Sequence, residues 1–290
     1  MRQQTTLARS IRVSGVGLHS GRHADVVLHP AEGDHGIVFY RSDVGSFVPA
    51  LAEEAGRFDH ATSLGPKNAN VATVEHLLSA ACGAGLDNLL VELNGPEVPI
   101  LDGSSAPWLE LFREAGIARL PVTVTPFVPA RTLAVFGVPG KRLEIRPARE
   151  LRITYTIDFP NAVIGRQSIT VVVSPESYAK HLAPARTFGF LAEYETLKAH
   201  GLARGASAAN CIVVGKDRIE NGALRYPDEF VRHKALDLLG DLALVGRPVL
   251  GHIVAHRSGH AMHAALALIL REELLETSSV RGQASASLSP

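Results

Sequence analysis

Asp228-Glu229-Phe230-Val231-Arg232-His233-Lys234-Ala235-Leu236-Asp237-Leu238-Leu239-Gly240-Asp241-Leu242-Ala243-Leu244 is the stretch on which the fold reading turns. Val231, Ala235, Leu238, Leu239 and Leu242 recur at the spacing of one apolar helix face, and Asp228 is placed to cap it. Beyond this helix come a strand over 249–255, a turn at Arg257-Ser258-Gly259 and a second helix over about 260–275. The same order stands earlier in the chain. Val74, Leu77, Leu78 and Ala81 mark a helix that contains His76. A strand over 88–93 follows it, then a turn at Asn94-Gly95-Pro96 and a helix from about Ser104-Ser105-Ala106-Pro107. The two units share negligible sequence identity, so what repeats is the order of elements. The expectation is an α+β chain of two similar domains, each a β-sheet layered with α-helices in a β-α-α-β sandwich.

Between the two units, residues 120–138 carry Pro121, Pro126 and Pro129 with little helical period, the character of a linker flanked by edge strands. The boundary is placed near 123–129, giving domains over 1–123 and 129–275. Alternation over 23–28 and 152–159 reads as strands, one in each domain. Residues 276–290 are rich in Ser, Ala and Gly without period, and a disordered tail is expected there.

Among 290 residues, 46% are hydrophobic and 20% charged, so a sizeable core can be buried. Twenty-nine basic residues balance twenty-nine acidic ones without a dense basic block, which argues against nucleic acid as a partner. Cys82 and Cys211 lack paired spacing and read as buried free thiols of a reducing compartment. Residues 1–16 lack the apolar core of a signal peptide, and no stretch has the roughly 18 apolar residues of a membrane helix. A cytoplasmic protein with no transmembrane segment is expected.

His233, Asp237 and Asp241 form a second stripe on the 228–244 helix, away from its apolar face. Such a stripe is ordinarily solvated surface. An imidazole and a carboxylate one turn apart can, however, hold one cation without distorting the backbone. A catalytic zinc site needs a third ligand and keeps its fourth position for water. His76 is the best third ligand, in Thr73-Val74-Glu75-His76, where Thr73 can cap the helix. Glu75 beside it suits a water-activating base. His260 follows Ser258, a potential cap, in the first turn of a helix, and is either a capping or surface histidine or one poised to exchange protons.

Five motifs then appear in order: Thr73-Val74-Glu75-His76-Leu77, Pro99-Ile100-Leu101-Asp102-Gly103-Ser104, Ala185-Arg186-Thr187-Phe188-Gly189-Phe190, Asp228-Glu229-Phe230-Val231-Arg232-His233-Lys234 and Ser258-Gly259-His260. Together the chain resembles the UDP-3-O-acyl-N-acetylglucosamine deacetylase family, over about residues 11–275. The resemblance implies zinc-dependent hydrolysis of the acetamide of an acylated UDP-amino sugar, the committed step of lipid A biosynthesis, at a site between two α+β domains. It implies Zn2+ on His76, His233 and Asp237 and Glu75 as general base. His260 would be the acid or an electrostatic stabiliser, oriented by Asp241. Thr187 would share the charge on the carbonyl oxygen. Lys234 would add positive charge and reach the diphosphate. Phe159, Phe188 and Phe190 would bind substrate, with an inserted segment over about 188–214 forming the acyl-chain passage. Without the family these would read as an edge threonine, surface charges and core aromatics.

The chain departs from the family pattern over 61–64, where it has no cysteine, and over 65–70, which is short. His19 and Asp102 receive no role, and a monomer is expected. Iron is chemically suited to two histidines and a carboxylate as well. The competing readings are an amidohydrolase of the same fold acting on another N-acyl amino sugar or nucleotide, and a binding protein with a purely structural zinc.

Overall fold

The computed structural model describes residues 1–58 and 60–286, with side chains for all of these except 57 and 278–286. The chain opens with β1 (Arg2–Leu7), β2 (Ile11–Val16), β3 (His23–His29), β4 (Ile37–Arg41) and β5 (Ser46–Pro49). Three short strands follow, β6 (Ala55–Arg57), β7 (Ser63–Leu64) and β8 (Val71–Ala72). The first half then runs through α1 (Glu75–Ala84), β9 (Leu89–Leu93), α2 (Ala106–Ala115) and β10 (Ile117–Val124). The second half begins with β11 (Leu133–Phe136), β12 (Arg142–Arg146), β13 (Leu151–Asp158) and β14 (Arg166–Val172). After α3 (Pro175–His181), β15 (Phe188–Phe190), α4 (Tyr194–Ala199) and β16 (Ile212–Val214) come α5 (Glu229–Leu242), β17 (Gly251–His256) and α6 (His260–Ala286).

The duplication expected from element order extends to strand pairing. One five-stranded sheet has the order β2-β3-β9-β4-β5 and the other β11-β12-β17-β13-β14. In each, the last strand in sequence enters the middle, antiparallel to one neighbour and parallel to the other. A helix precedes that strand and another follows it: α1 and α2 in one half, α5 and α6 in the other. Each sheet buries one face, as the period of two requires. On β13, Ile153, Tyr155 and Ile157 point inward; on β9, Leu89, Val91 and Leu93 do the same. Among the described residues no helix is long and apolar enough to cross a membrane.

The halves meet where α1 lies against α5. Gly240 makes this approach possible, because a Cβ there would stand 2.1 Å from the carbonyl oxygen of Glu75. Backbone cannot yield as a flexible side chain does, so Gly240→Ala must push α1 off α5. The expected cost is about 1–3 kcal/mol in a denaturant melt, as the first turn of α1 is displaced. An unchanged melt would contradict this packing.

Several local expectations are corrected. Residues 120–124, expected as linker, form the end of β10, which pairs with β1; Pro121 is tolerated in this two-stranded ribbon, and the connection is 125–132. Residues 276–286, expected as disordered tail, continue α6, since their Ala, Ser and Gln include no proline to stop it. Residues 287–290 lie outside the described residues. The three expected helix caps use their side chains elsewhere. Thr73 Oγ1 donates to Glu97 Oε1, Asp228 Oδ1 accepts from Arg232, and Ser258 Oγ meets Tyr155 and His263.

Candidate metal centre

α1 delivers Glu75 and His76 from its first turn, and α5 delivers His233, Asp237 and Asp241 from successive turns. Because α1 packs against the stripe, these groups are buried rather than solvated; Asp237 is 1% exposed and Asp241 0%. Asp237 Oδ1 lies 3.3 Å from His233 Nε2 and 3.7 Å from His76 Nε2. His233 donates its Nδ1–H to the Ala185 carbonyl at 3.0 Å, which leaves Nε2 as a lone-pair donor turned toward Asp237. Burial drives the His233 pKa down to about 3, with the Asp237 charge opposing, so the ring is neutral. Burial alone would raise the Asp237 pKa, but the Lys234 ammonium against its second oxygen and the imidazoles facing its first hold it well below the usual carboxylate range.

Lone pairs converging in a buried space repel unless a cation joins them. Asp237 Oδ1 is buried and has no hydrogen-bond partner among the described residues, while Lys234 Nζ occupies Oδ2 at 2.7 Å. The ligand atoms of His76, His233 and Asp237 all lie within 4.8 Å of one another. Two imidazole nitrogens and one carboxylate oxygen form a set that fits a divalent metal with an open position.

Glu75 and His260 flank this cluster, both with raised proton affinity but from different causes. Burial raises the Glu75 pKa, and its Oε2 accepts the Thr62 N–H at 3.1 Å. Burial would depress His260, yet the charge and hydrogen bond of Asp241, with Asp237 and Glu75, raise it to about 9. Asp241 Oδ2 accepts from His260 Nδ1 at 2.8 Å and Oδ1 accepts from Thr62 Oγ1 at 2.6 Å. His263, which sequence reasoning missed, also reaches Asp241 Oδ2, at 2.8 Å. Its position three residues after His260 on one helix face was the available signal. Thr62, in a loop between short strands, offered none.

Glu75, His76, His233, Asp237 and His260 line a cavity of about 710 Å³ that also touches Thr187, Lys234, Phe159, Phe188 and Phe190. The three phenylalanines form one aromatic cluster, with ring centroids 5.7–6.4 Å apart. Lys234, which the resemblance places near a diphosphate, holds Asp237 here, with its ammonium 5.7 Å from the centre of the Phe188 ring. A further cavity of about 220 Å³ opens inside the 188–214 segment, lined by Phe190, Leu191, Tyr194, Leu197 and Val213. Phe190 and Leu197 line both cavities.

Thr187 is placed by its backbone, which donates to Gly103 O at 2.7 Å and accepts from Ile212 N at 2.8 Å. Gly103 has φ +84°, and a Cβ on it would meet Asn210 O at 2.1 Å, so no larger residue allows this approach. Asp102 secures the same region rather than the cavity: it accepts from Ser104 N and from Arg225 Nη2, each at 2.9 Å. Glu229 in turn clamps Arg186, fixing the loop whose Ala185 carbonyl orients His233. His19 lines the cavity, its pKa lowered by burial, and its buried Nε2 has no partner among the described residues.

A family model described as UDP-3-O-acyl N-acetylglycosamine deacetylase matches residues 4–272. The chain belongs to this deacetylase family. It is 47% identical to the UDP-3-O-acyl-N-acetylglucosamine deacetylase of Myxococcus xanthus over 267 residues, 91% of this chain and 84% of that protein. The Solibacter usitatus protein of that name is 45% identical over 92% of this chain and 90% of its own length. The Chlamydia felis deacetylase is 43% identical over 94% and 98%. Family membership thus spans both halves and the cluster between them.

Proposed function

We propose that the chain hydrolyses the acetamide of UDP-3-O-(3-hydroxyacyl)-N-acetylglucosamine, releasing acetate and the free amine in the committed step of lipid A biosynthesis. The observation that carries this reading is the buried, unpartnered Asp237 Oδ1 facing two imidazole nitrogens, in a cavity also lined by Glu75 and His260. His76, His233 and Asp237 hold zinc. Zinc bound there supplies Lewis acidity toward water and a carbonyl oxygen.

Glu75 is the base. Its elevated proton affinity, set by burial, suits it to take a proton from the attacking water. His260, kept protonated by Asp241, gives its Nε2 proton to the leaving amine. The Thr187 side chain supports the oxygen on which charge develops, where donors fixed in advance contribute most. Lys234 keeps Asp237 ionised and oriented, and adds positive charge near the diphosphate. Phe159, Phe188 and Phe190 shape the substrate channel, and the acyl chain enters the apolar space of 188–214. The division at about 123–129 leaves each five-stranded sheet whole in its own domain. Two cysteines without a disulfide accord with a cytoplasmic enzyme.

Offering UDP-N-acetylglucosamine with and without its 3-O-acyl chain tests the substrate assignment. Acetate release from the acylated compound alone is expected; equal turnover of both would favour an amidohydrolase for another amino sugar.

Asp241→Ala has a pH signature. The His260 pKa is raised to about 9, so its charged form is present below that value and is lost as pH rises through it. Without Asp241 burial prevails, and the descending limb of kcat/KM should move down by about one pH unit or more. An unmoved limb in the kcat/KM profile would refute the pairing.

A further inference from the structure

His263 follows His260 by one helical turn on α6 and is 2% exposed. A buried histidine ordinarily needs partners, and those of His263 lead straight to the site. Asp241 Oδ2 stands 2.8 Å from the Nδ1 of His260 and 2.8 Å from that of His263. An ionised carboxylate only accepts, so both rings must present Nδ1–H to one oxygen. Thr62 Oγ1 holds the other oxygen at 2.6 Å. On its far side, His263 Nε2 lies 3.0 Å from Ser258 Oγ and 3.2 Å from the Tyr155 hydroxyl. Tyr155 is fully buried in the second sheet and donates to the Ser258 carbonyl at 2.9 Å. Ser258 and Gly259 form the turn that delivers His260.

His263 therefore joins three things: the carboxylate beneath His260, the turn before His260 and a rigid strand. Without it, Asp241 would keep one imidazole and one hydroxyl, and its carboxylate could rotate. We propose that His263 is a positioning residue of the deacetylation, anchoring Asp241 so that the His260 ring keeps Nε2 turned into the cavity. His263 is not among the cavity-lining residues, so it acts through Asp241 and not on substrate. The inference rests on the proposed function, in which His260 is the acid.

The test compares His263→Leu, His263→Asn and His263→Gln with His260→Ala in the zinc-loaded full chain, on the acylated UDP-amino sugar. For His263→Leu, kcat is expected to fall about 10–100-fold with KM nearly unchanged, the scale for groups that orient a working residue. Asn, whose amide N–H can stand where Nδ1–H stood, should recover most of the loss; Gln, with its amide one carbon further out, should not. The downfield proton signal absent from His260→Ala, which marks Nδ1–H on Asp241, should shift or broaden in the Leu variant and persist in the Asn variant. A Leu variant with kcat within about threefold of wild type overturns the inference. If the Leu variant fails to fold, equal kcat for Asn and Gln makes His263 a space filler and overturns it as well. An active His260→Ala would bring down the underlying reading and this inference together, whereas an inactive His260→Ala beside an active His263→Leu overturns the inference alone.

Discussion

Glu75→Ala is expected to lower acetate release by about 10²–10⁴-fold while the protein still binds one zinc per chain. The separation of the two readouts follows from geometry. The Glu75 carboxylate is held by the Thr62 N–H and is not one of the converging ligand atoms, so its removal leaves the metal cluster intact. What disappears is a buried carboxylate in the cavity with a raised proton affinity and no ligand duty. Glu75→Gln, which keeps shape and loses basicity, should behave the same way. Metal content by elemental analysis beside steady-state rates checks both; a variant retaining a tenth of the wild-type rate would remove Glu75 from the base role.

Asp237→Ala should fail at the earlier step. Asp237 supplies the carboxylate of the three-residue cluster and ties it to Lys234 through its second oxygen. Its loss leaves two imidazoles as ligands and an ammonium without its carboxylate nearby, a positive field that opposes a cation. Zinc affinity should fall by more than about 100-fold, exceeding the effect of losing a group that merely orients a ligand. Competition against a chromophoric chelator measures this. Wild-type affinity in the variant would exclude Asp237 as a ligand.

The helical period of 228–244 was legible because five apolar residues define one face and because His233 and Asp237 are one turn apart. The same period made the polar stripe look like the solvated side. The stripe is instead covered by α1, and the only local sign was Gly240, lying between Leu239 and Asp241 where a Cβ would strike Glu75. Element order revealed the duplication, but not that the last strand of each half enters the middle of its sheet, since pairing is decided by contacts distant in sequence. Thr73 and Ser258 were legible as potential caps from type and position. Both are used as hydrogen-bond donors around the site, a choice made by tertiary partners. Lys234 received its place near the diphosphate from the resemblance alone, although three residues of helical spacing also place it on Asp237. Asp102 sits in a motif of the resemblance yet serves the Arg225 clamp, which only the folded arrangement of both halves reveals.

If His76, His233 and Asp237 make one metal site on which acetamide hydrolysis depends, the activity must follow the metal. Stripping the wild-type chain with a chelator and titrating zinc back, with acetate release followed from the acylated UDP-amino sugar, tests this most directly. Activity should be abolished by stripping, rise in proportion to added zinc and level off at one equivalent per chain. Full activity in the stripped protein, or a restored zinc content without acetate release, would contradict it.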